Sequence, residues 1–395
     1  MKKTAFLFGA GISIPAELPS TTDITEFLLN SKNIFRHSDE TYFIKQANSP
    51  IPHDEVKYVL RNQIFLKRLK IEAELFYLNW TNKIVNYEDL YYLATQISDC
   101  ETGEFDNPAI QPFIDKIYPD IKHLLKETRP INTEDWPISK LADETTNYIR
   151  DVVWDLLYKS PKRADYLTFL IEIIKNEKIE NIDIYTLNHD ILLEQILSTN
   201  GIDKICDGFG DYKNEVKYWT PILFESSKDK VKLLKLHGSI NWFRFRKDDG
   251  DWRDDQIGIT KSHDFWHTRD QYNNPQFPPD GRPLFLAGTY NKMMQYTSGI
   301  YMDIHCLFYK RLSNFEQLII SGYSFGDKGI NGRIIEWLYS KTTDNRIVIV
   351  DPNPDRLKKI ARGSISNKWD LWRQEGLLKI IPKAIENVEY KDLFE

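Results

Sequence analysis

Apolar positions along the chain follow two different periods. Residues 5–8 (AFLF), 182–186 (IDIYT), 231–236 (VKLLKL), 283–287 (PLFLA), 317–321 (QLIIS) and 346–350 (RIVIV) are short runs with the composition of buried strands. Residues 56–77, 87–97, 110–125, 138–157 and 166–174 instead repeat at helical spacing, punctuated by Pro108, Pro119, Pro130, Pro137 and Pro161. Helical pattern also returns at 191–197, 304–312 and 334–339. Strands near the start and through the second half, with helices between them, predict an α/β fold: a Rossmann-like parallel sheet carrying a large helical insertion. The expected division is 1–29 plus 177–395 for the sheet domain and 30–176 for the inserted helical domain. Residues 246–283 are polar and rich in Asp and Pro, and read as hairpin and loop.

Most of these strand runs end in polar or glycine-rich residues, where an open α/β sheet binds its ligands. The first runs into Gly9-Ala10-Gly11-Ile12-Ser13, a turn whose glycines let backbone approach a phosphate, although Ile14 stands where a dinucleotide fingerprint would place its third glycine. Ser20 and Asp23 follow with capping-box spacing. Run 182–186 leads through Leu187 into Asn188-His189-Asp190 ahead of a helix, where Asn188 or Asp190 equally suits a cap. His237-Gly238-Ser239 closes run 231–236, Gly322-Tyr323-Ser324-Phe325-Gly326-Asp327 closes 317–321, and Asp351-Pro352-Asn353-Pro354 closes 346–350. An acid at that last position suits a ribose diol or a plain turn.

Composition removes several classes. A net charge of −6 over 395 residues argues against a broad basic nucleic-acid face, so no direct nucleic-acid binding is expected. Three scattered cysteines, Cys100, Cys206 and Cys306, offer neither a zinc ribbon nor a disulfide framework, and no zinc is expected. His263 and His267, four apart with Asp264 beside them, could chelate a metal on a helix, but no convincing third ligand lies nearby and they read as solvated loop. The apolar run after Met1-Lys2-Lys3 stops at Gly9, too short for a secretory leader, and no run spans a membrane. A soluble cytoplasmic protein is expected.

In order, GAGIS, TLNHD, LHGS, GYSFGD and VDPNP resemble the sirtuin family, and more closely the sirtuin-like NAD-consuming proteins of bacterial anti-phage defence. Asn86-Tyr87-Glu88-Asp89-Leu90 is similar to a further signature of that branch. The resemblance covers residues 4–24, 180–197, 231–243 and 316–355. It implies that Gly9, Ala10, Gly11 and Ser13 lie along the NAD diphosphate. Asn188 would hold the nicotinamide ribose or a water beside it, and Asp190 the carboxamide. His237 would be the catalytic histidine. Gly322 and Ser324 would approach phosphates and adenosine ribose, and Asp351 the ribose hydroxyls. Two departures count against protein deacylation: Ser20-Thr21-Thr22 replaces a Pro-Asp-Phe-Arg segment, and only Cys306 follows His237 where sirtuins carry four zinc cysteines. The implied activity is NAD+ glycohydrolase, in a homo-oligomer with a partner encoded nearby (a HerA-like ATPase, an Argonaute-type or a nucleotide-pyrophosphatase-like protein). A nucleotide-sensing scaffold and a deacylase remain as alternatives, and a resting state silenced by the helical insertion is expected.

Overall fold

The computed structural model describes residues 2–45, 56–78, 83–105, 107–126, 134–247, 250–262, 264–340 and 344–394. The chain divides into two compact units, the first formed by Met1–Leu18, Ser160–Leu286 and Lys292–Glu395, the second by Pro19–Lys159 with Ala287–Asn291.

The first unit is built on a seven-stranded parallel sheet. Its strands are β1 (Lys2–Phe8), β2 (Ile179–Thr186), β3 (Ile205–Cys206), β4 (Val231–Lys235), β5 (Gln317–Ser321), β6 (Arg346–Val350) and β7 (Leu378–Ile381). They lie in the order β7-β6-β5-β1-β2-β4-β3, so the chain builds outward on one side of β1 and then crosses to the other. The reversal falls between β1 and β5, which is the topological switch point of a doubly wound sheet.

Continuous apolar runs are what such a sheet requires, because helices cover both faces. Alternate residues of β1 feed different cores: Ala5 and Leu7 pack with Tyr185, Leu234, Ile320 and Phe308, whereas Phe6 and Phe8 pack with Ile184, Leu233, Val348 and Phe169. Burying Phe6 or Phe8 fully contributes about 1.5–3 kcal/mol each. Among the buried polar residues of these strands is Asp183 in β2, fully buried, whose two oxygens accept from Arg311 Nε and Nη2, both at 2.7 Å. The helices that matter below are α6 (Thr168–Lys175) and α7 (Leu192–Thr199), then Gly299–Leu312 and Lys328–Leu338.

Two readings of the sequence change. Residues 246–283 are not a plain hairpin and loop: with Val216–Tyr218 and Phe243–Lys247 they supply a five-stranded antiparallel sheet whose strands hold only two to five residues. Such short, half-polar strands leave little periodic signal. Run 283–287 forms only a bridge, Gly238 to Phe285, while β7 is a strand the pattern did not announce.

The second unit holds α1 (Thr21–Asn30), α2 (Val56–Leu78), α3 (Tyr87–Thr102), α4 (Ile110–Ile121), α5 (Ile138–Leu157) and a small hairpin of Ile34–Arg36 and Tyr42–Ile44. The Ser20/Asp23 capping box forms at the start of α1, and Asn86 makes another with Asp89 at α3. Pro119 lies inside α4 rather than before a helix, and the last turn then tightens into a 3₁₀ turn at Lys122–Leu125. Pro130 falls outside the described residues.

Candidate active site

At the switch point the turn after β1 meets the turn after β5. Gly9 N donates to Ser321 O at 3.0 Å and Gly11 N to Gly322 O at 2.9 Å. A Cβ on Gly9 would stand 2.6 Å from Gly322 O, and one on Gly11 would stand 2.6 Å from Gly322 Cα. Gly322 itself takes φ +68°. These three glycines are therefore demanded by the approach of two backbones to each other, whatever binds above them. Ala10 of the same turn is exposed.

Ser13 closes this turn and joins it to the end of β2. Its hydroxyl donates to Asp190 Oδ2 at 2.9 Å and accepts from Asn188 Nδ2 at 3.0 Å. Asp190 Oδ1 accepts from Leu192 N, the first residue of α7, at 3.1 Å; the N-cap position itself is Ile191 and has no side-chain cap. Buried Lys235 donates to Asp190 O and to Glu194 Oε1, the latter at 2.9 Å. Among the described residues Asn188 Oδ1 has no hydrogen-bond partner, although it is buried. An orphaned buried carbonyl oxygen costs about 1–3 kcal/mol, which a donor brought by a ligand or water recovers.

His237 follows β4 through Leu236 and belongs to a second cluster. Its Nε2 lies 2.9 Å from Tyr296 Oη and 3.2 Å from Asp327 Oδ2, and Tyr296 Oη donates to that same Asp327 oxygen at 2.6 Å. Asp327 is held by its other oxygen, Oδ1, which caps the helix Lys328–Leu338 by accepting from Gly329 N at 2.8 Å and Ile330 N at 3.1 Å. The turn leading to it keeps its shape through Phe325, at φ +58°, a conformation costing roughly 1–2 kcal/mol. Its buried ring against Tyr323 and Trp369 offsets that cost. Tyr296 stacks on His305 with ring centroids 3.6 Å apart.

Burial works against the ionised form of Asp327. The bond and charge of His237, the nearby Lys292 charge and the Tyr296 bond overcome it and hold the carboxyl well below the usual carboxylate range. Burial pushes His305 down to about 3, aided by the charge of His237. Burial likewise holds His189 well below the usual imidazole value, with the charges of Lys292, His237 and Lys235 adding to it. The two clusters meet through His189, whose ring centroid is 6.3 Å from that of His237. The fold thus brings Gly9, Gly11, Ser13, Asn188, Asp190 and Gly322 into one bonded group. His237 sits in its own.

Ser324 is exposed, and Asp351 turns its Oδ1 onto Asn353 N at 2.7 Å. Among the described residues no hydrogen bond ties either to the first group. Tyr296, Asp327, Lys292 and His305 are the members that sequence reasoning passed over. Asp327 alone left a trace, as the last letter of GYSFGD.

Among the described residues no group of three or more His, Cys, Asp or Glu is arranged to hold a metal, and no helix is long and apolar enough to cross a membrane. His263 lies outside the described residues, while Asp264 and His267 form an exposed pair.

A parallel sheet with polar side chains gathered at its switch point defines a Rossmann-like α/β architecture. Residues 183–377 match the family model of the SIR2-like domain. Among solved structures, one similar chain is a Sir2 homologue mutant in complex with ADP-ribose, at 11% identity and TM-score 0.36, covering 99% of this chain and 90% of that one. Another is a Sir2 homologue–NAD complex, at 10% identity and TM-score 0.36, covering 99% and 87%. A third is Sir2 bound to acetylated peptide, at 14% identity and TM-score 0.27, covering 95% and 94%. No curated protein matches the sequence.

Proposed function

We propose that this protein is an NAD+ glycohydrolase, cleaving the bond between nicotinamide and ribose. The observation that carries the reading is the buried, unpartnered Asn188 Oδ1 at the switch point, joined through Ser13 to Asp190. Nicotinamide leaves with the bonding electron pair as a neutral base, C1′ gains oxocarbenium character, and a water oxygen bonds to C1′ to give ADP-ribose. Asn188 orients the nicotinamide ribose or the water, since its amide donates and accepts at once. Asp190 accepts from the carboxamide. His237 takes the proton of the water or of a ribose hydroxyl and passes it to solvent. Gly9, Ala10, Gly11, Ser13 and Gly322 flank the diphosphate, with Ser324 and Asp351 toward the adenosine ribose.

Protein deacylation is disfavoured, because the chain after His237 forms an antiparallel sheet in a region with a single later cysteine, Cys306. Nicotinamide release from NAD+ followed by chromatography, with and without an acetyl-lysine peptide, separates the two. Hydrolysis predicts equal release in both arms; release that requires the peptide contradicts it. Binding without turnover gives no nicotinamide in either arm.

The motif resemblance supports a role for this activity in bacterial anti-phage defence, in a homo-oligomer whose turnover is released by a partner encoded beside it. A free NAD hydrolase drains its own cell, so a silent resting state follows. A 100-fold change in the active population needs about 2.7 kcal/mol of differential binding. Comparing turnover by the chain alone and with its neighbour's product tests the control. Rapid turnover by the isolated chain, unchanged by any partner and by dilution, contradicts it.

A further inference from the structure

The second cluster allows its hydrogens to be counted. Tyr296 has one hydroxyl hydrogen, and the 2.6 Å contact gives it to Asp327 Oδ2. A carboxylate only accepts, so the 2.9 Å contact between His237 Nε2 and Tyr296 Oη must be filled by a hydrogen on Nε2. The 3.2 Å approach of Nε2 to Asp327 Oδ2 asks for the same hydrogen. Asp327 cannot swing away cheaply, because its other oxygen caps a helix through Gly329 and Ile330. Tyr296 is held likewise by its stack on His305.

We propose that Asp327, acting directly and through Tyr296, is the positioning residue of His237: it fixes the neutral imidazole as the Nε2–H tautomer and leaves Nδ1 as the nitrogen that accepts the proton. The proposal rests on the NAD-cleavage reading for the role of His237 as base. In the step itself an O–H of water or ribose gives its proton to Nδ1, while Nε2 keeps its own. The imidazolium so formed is balanced by the Asp327 carboxylate, which takes no proton. The charged or titratable groups around His237 among the described residues include His189 from the end of β2, Lys292 and Tyr296 from the Asn291–Gln295 helix and the residue after it, His305 from Gly299–Leu312, and Asp327. Tyr301 also approaches, its hydroxyl lying 2.9 Å from where a Cβ on Gly238 would stand.

The test uses the full chain labelled with ¹⁵N-histidine, with two-bond proton–nitrogen spectra read for His237 and NAD+ turnover measured against pH. Asp327→Asn keeps a capping oxygen while removing the charge, and Tyr296→Phe keeps the stack. Wild type should show His237 as the Nε2–H tautomer. Asp327→Asn should lose that preference, lower kcat by roughly 10²-fold with KM little changed, and move the acid limb of the profile to lower pH. An Nδ1–H tautomer in wild type overturns the proposal, and so does an acid limb that stays in place in Asp327→Asn. The wild-type spectrum decides even if a variant fails to fold. If wild type cleaves no NAD+, the functional reading falls while the tautomer still tests the positioning.

Discussion

The two polar clusters at the end of the sheet are built on opposite principles. In the Ser13–Asn188–Asp190 group the side chains bond to one another and still leave Asn188 Oδ1 buried and open. In the His237–Tyr296–Asp327 group Tyr296 donates to one oxygen of Asp327 and the other oxygen is anchored to a helix. The first arrangement has unfilled hydrogen-bonding capacity, as a binding surface does. The second resists rearrangement, as a proton-handling group must if its nitrogen is to point one way. On the proposed reading the first group binds the dinucleotide, with Asn188 set at the reacting ribose or water, and the second handles the proton.

The largest effect should come from the second group. His237→Ala is expected to lower kcat for NAD+ by roughly 10²–10⁴-fold with KM little changed, measured as nicotinamide release. A rise in KM alone would move His237 to the binding side and dissolve the division.

Acid should also distinguish the two groups. His305, beneath Tyr296, binds its proton only near pH 3 when folded but near 6.5 when unfolded. A lowered base pKa means that stability is complete above about pH 6.5 and falls as pH drops toward 3. At pH 5 this residue alone costs about 2 kcal/mol, and His189 shifts in the same direction. Urea midpoints should therefore fall between pH 7 and 5, and His305→Gln should remove much of the drop. An unchanged drop in that variant would place the acid sensitivity elsewhere.

Smaller consequences belong to Ser13, which holds Asn188 and Asp190 in place. Ser13→Ala removes one donor and one acceptor, and should raise KM roughly 10-fold with kcat nearly kept. A loss of kcat instead would join the two groups into one catalytic unit. Smallest of all, Ser324→Ala and Asp351→Ala should each raise KM by roughly fivefold, the worth of a single hydrogen bond. No change in either would confine recognition to the groups on β1, β2 and β4.

The core strands of the sheet were legible because a strand buried on both faces writes a continuous apolar run, and the polar or glycine residues after each run mark its exposed end. Asn188, Asp190 and Ser13 could be singled out for that reason. Their mutual bonding could not, since Ser13 and Asn188 are joined only when β1 and β2 pair. Tyr296 and Asp327 reach His237 from two later segments, and no local pattern announces a contact made that way. The glycines carry a different lesson. Gly9 and Gly11 read as phosphate-contacting residues, yet their closest neighbour is Gly322, so backbone packing already requires them. Polar strands of two or three residues, such as Thr268–Arg269, are set by pairing partners rather than by their own period.

The most direct test is the time course of nicotinamide and ADP-ribose release from NAD+ by the wild-type chain beside Asn188→Ala, each with its neighbour's product and each shown folded by circular dichroism. The account predicts equal amounts of the two products from wild type, and at least roughly 10²-fold slower release from the variant. Equal rates from both proteins, or NAD+ bound by wild type without any cleavage, would contradict it.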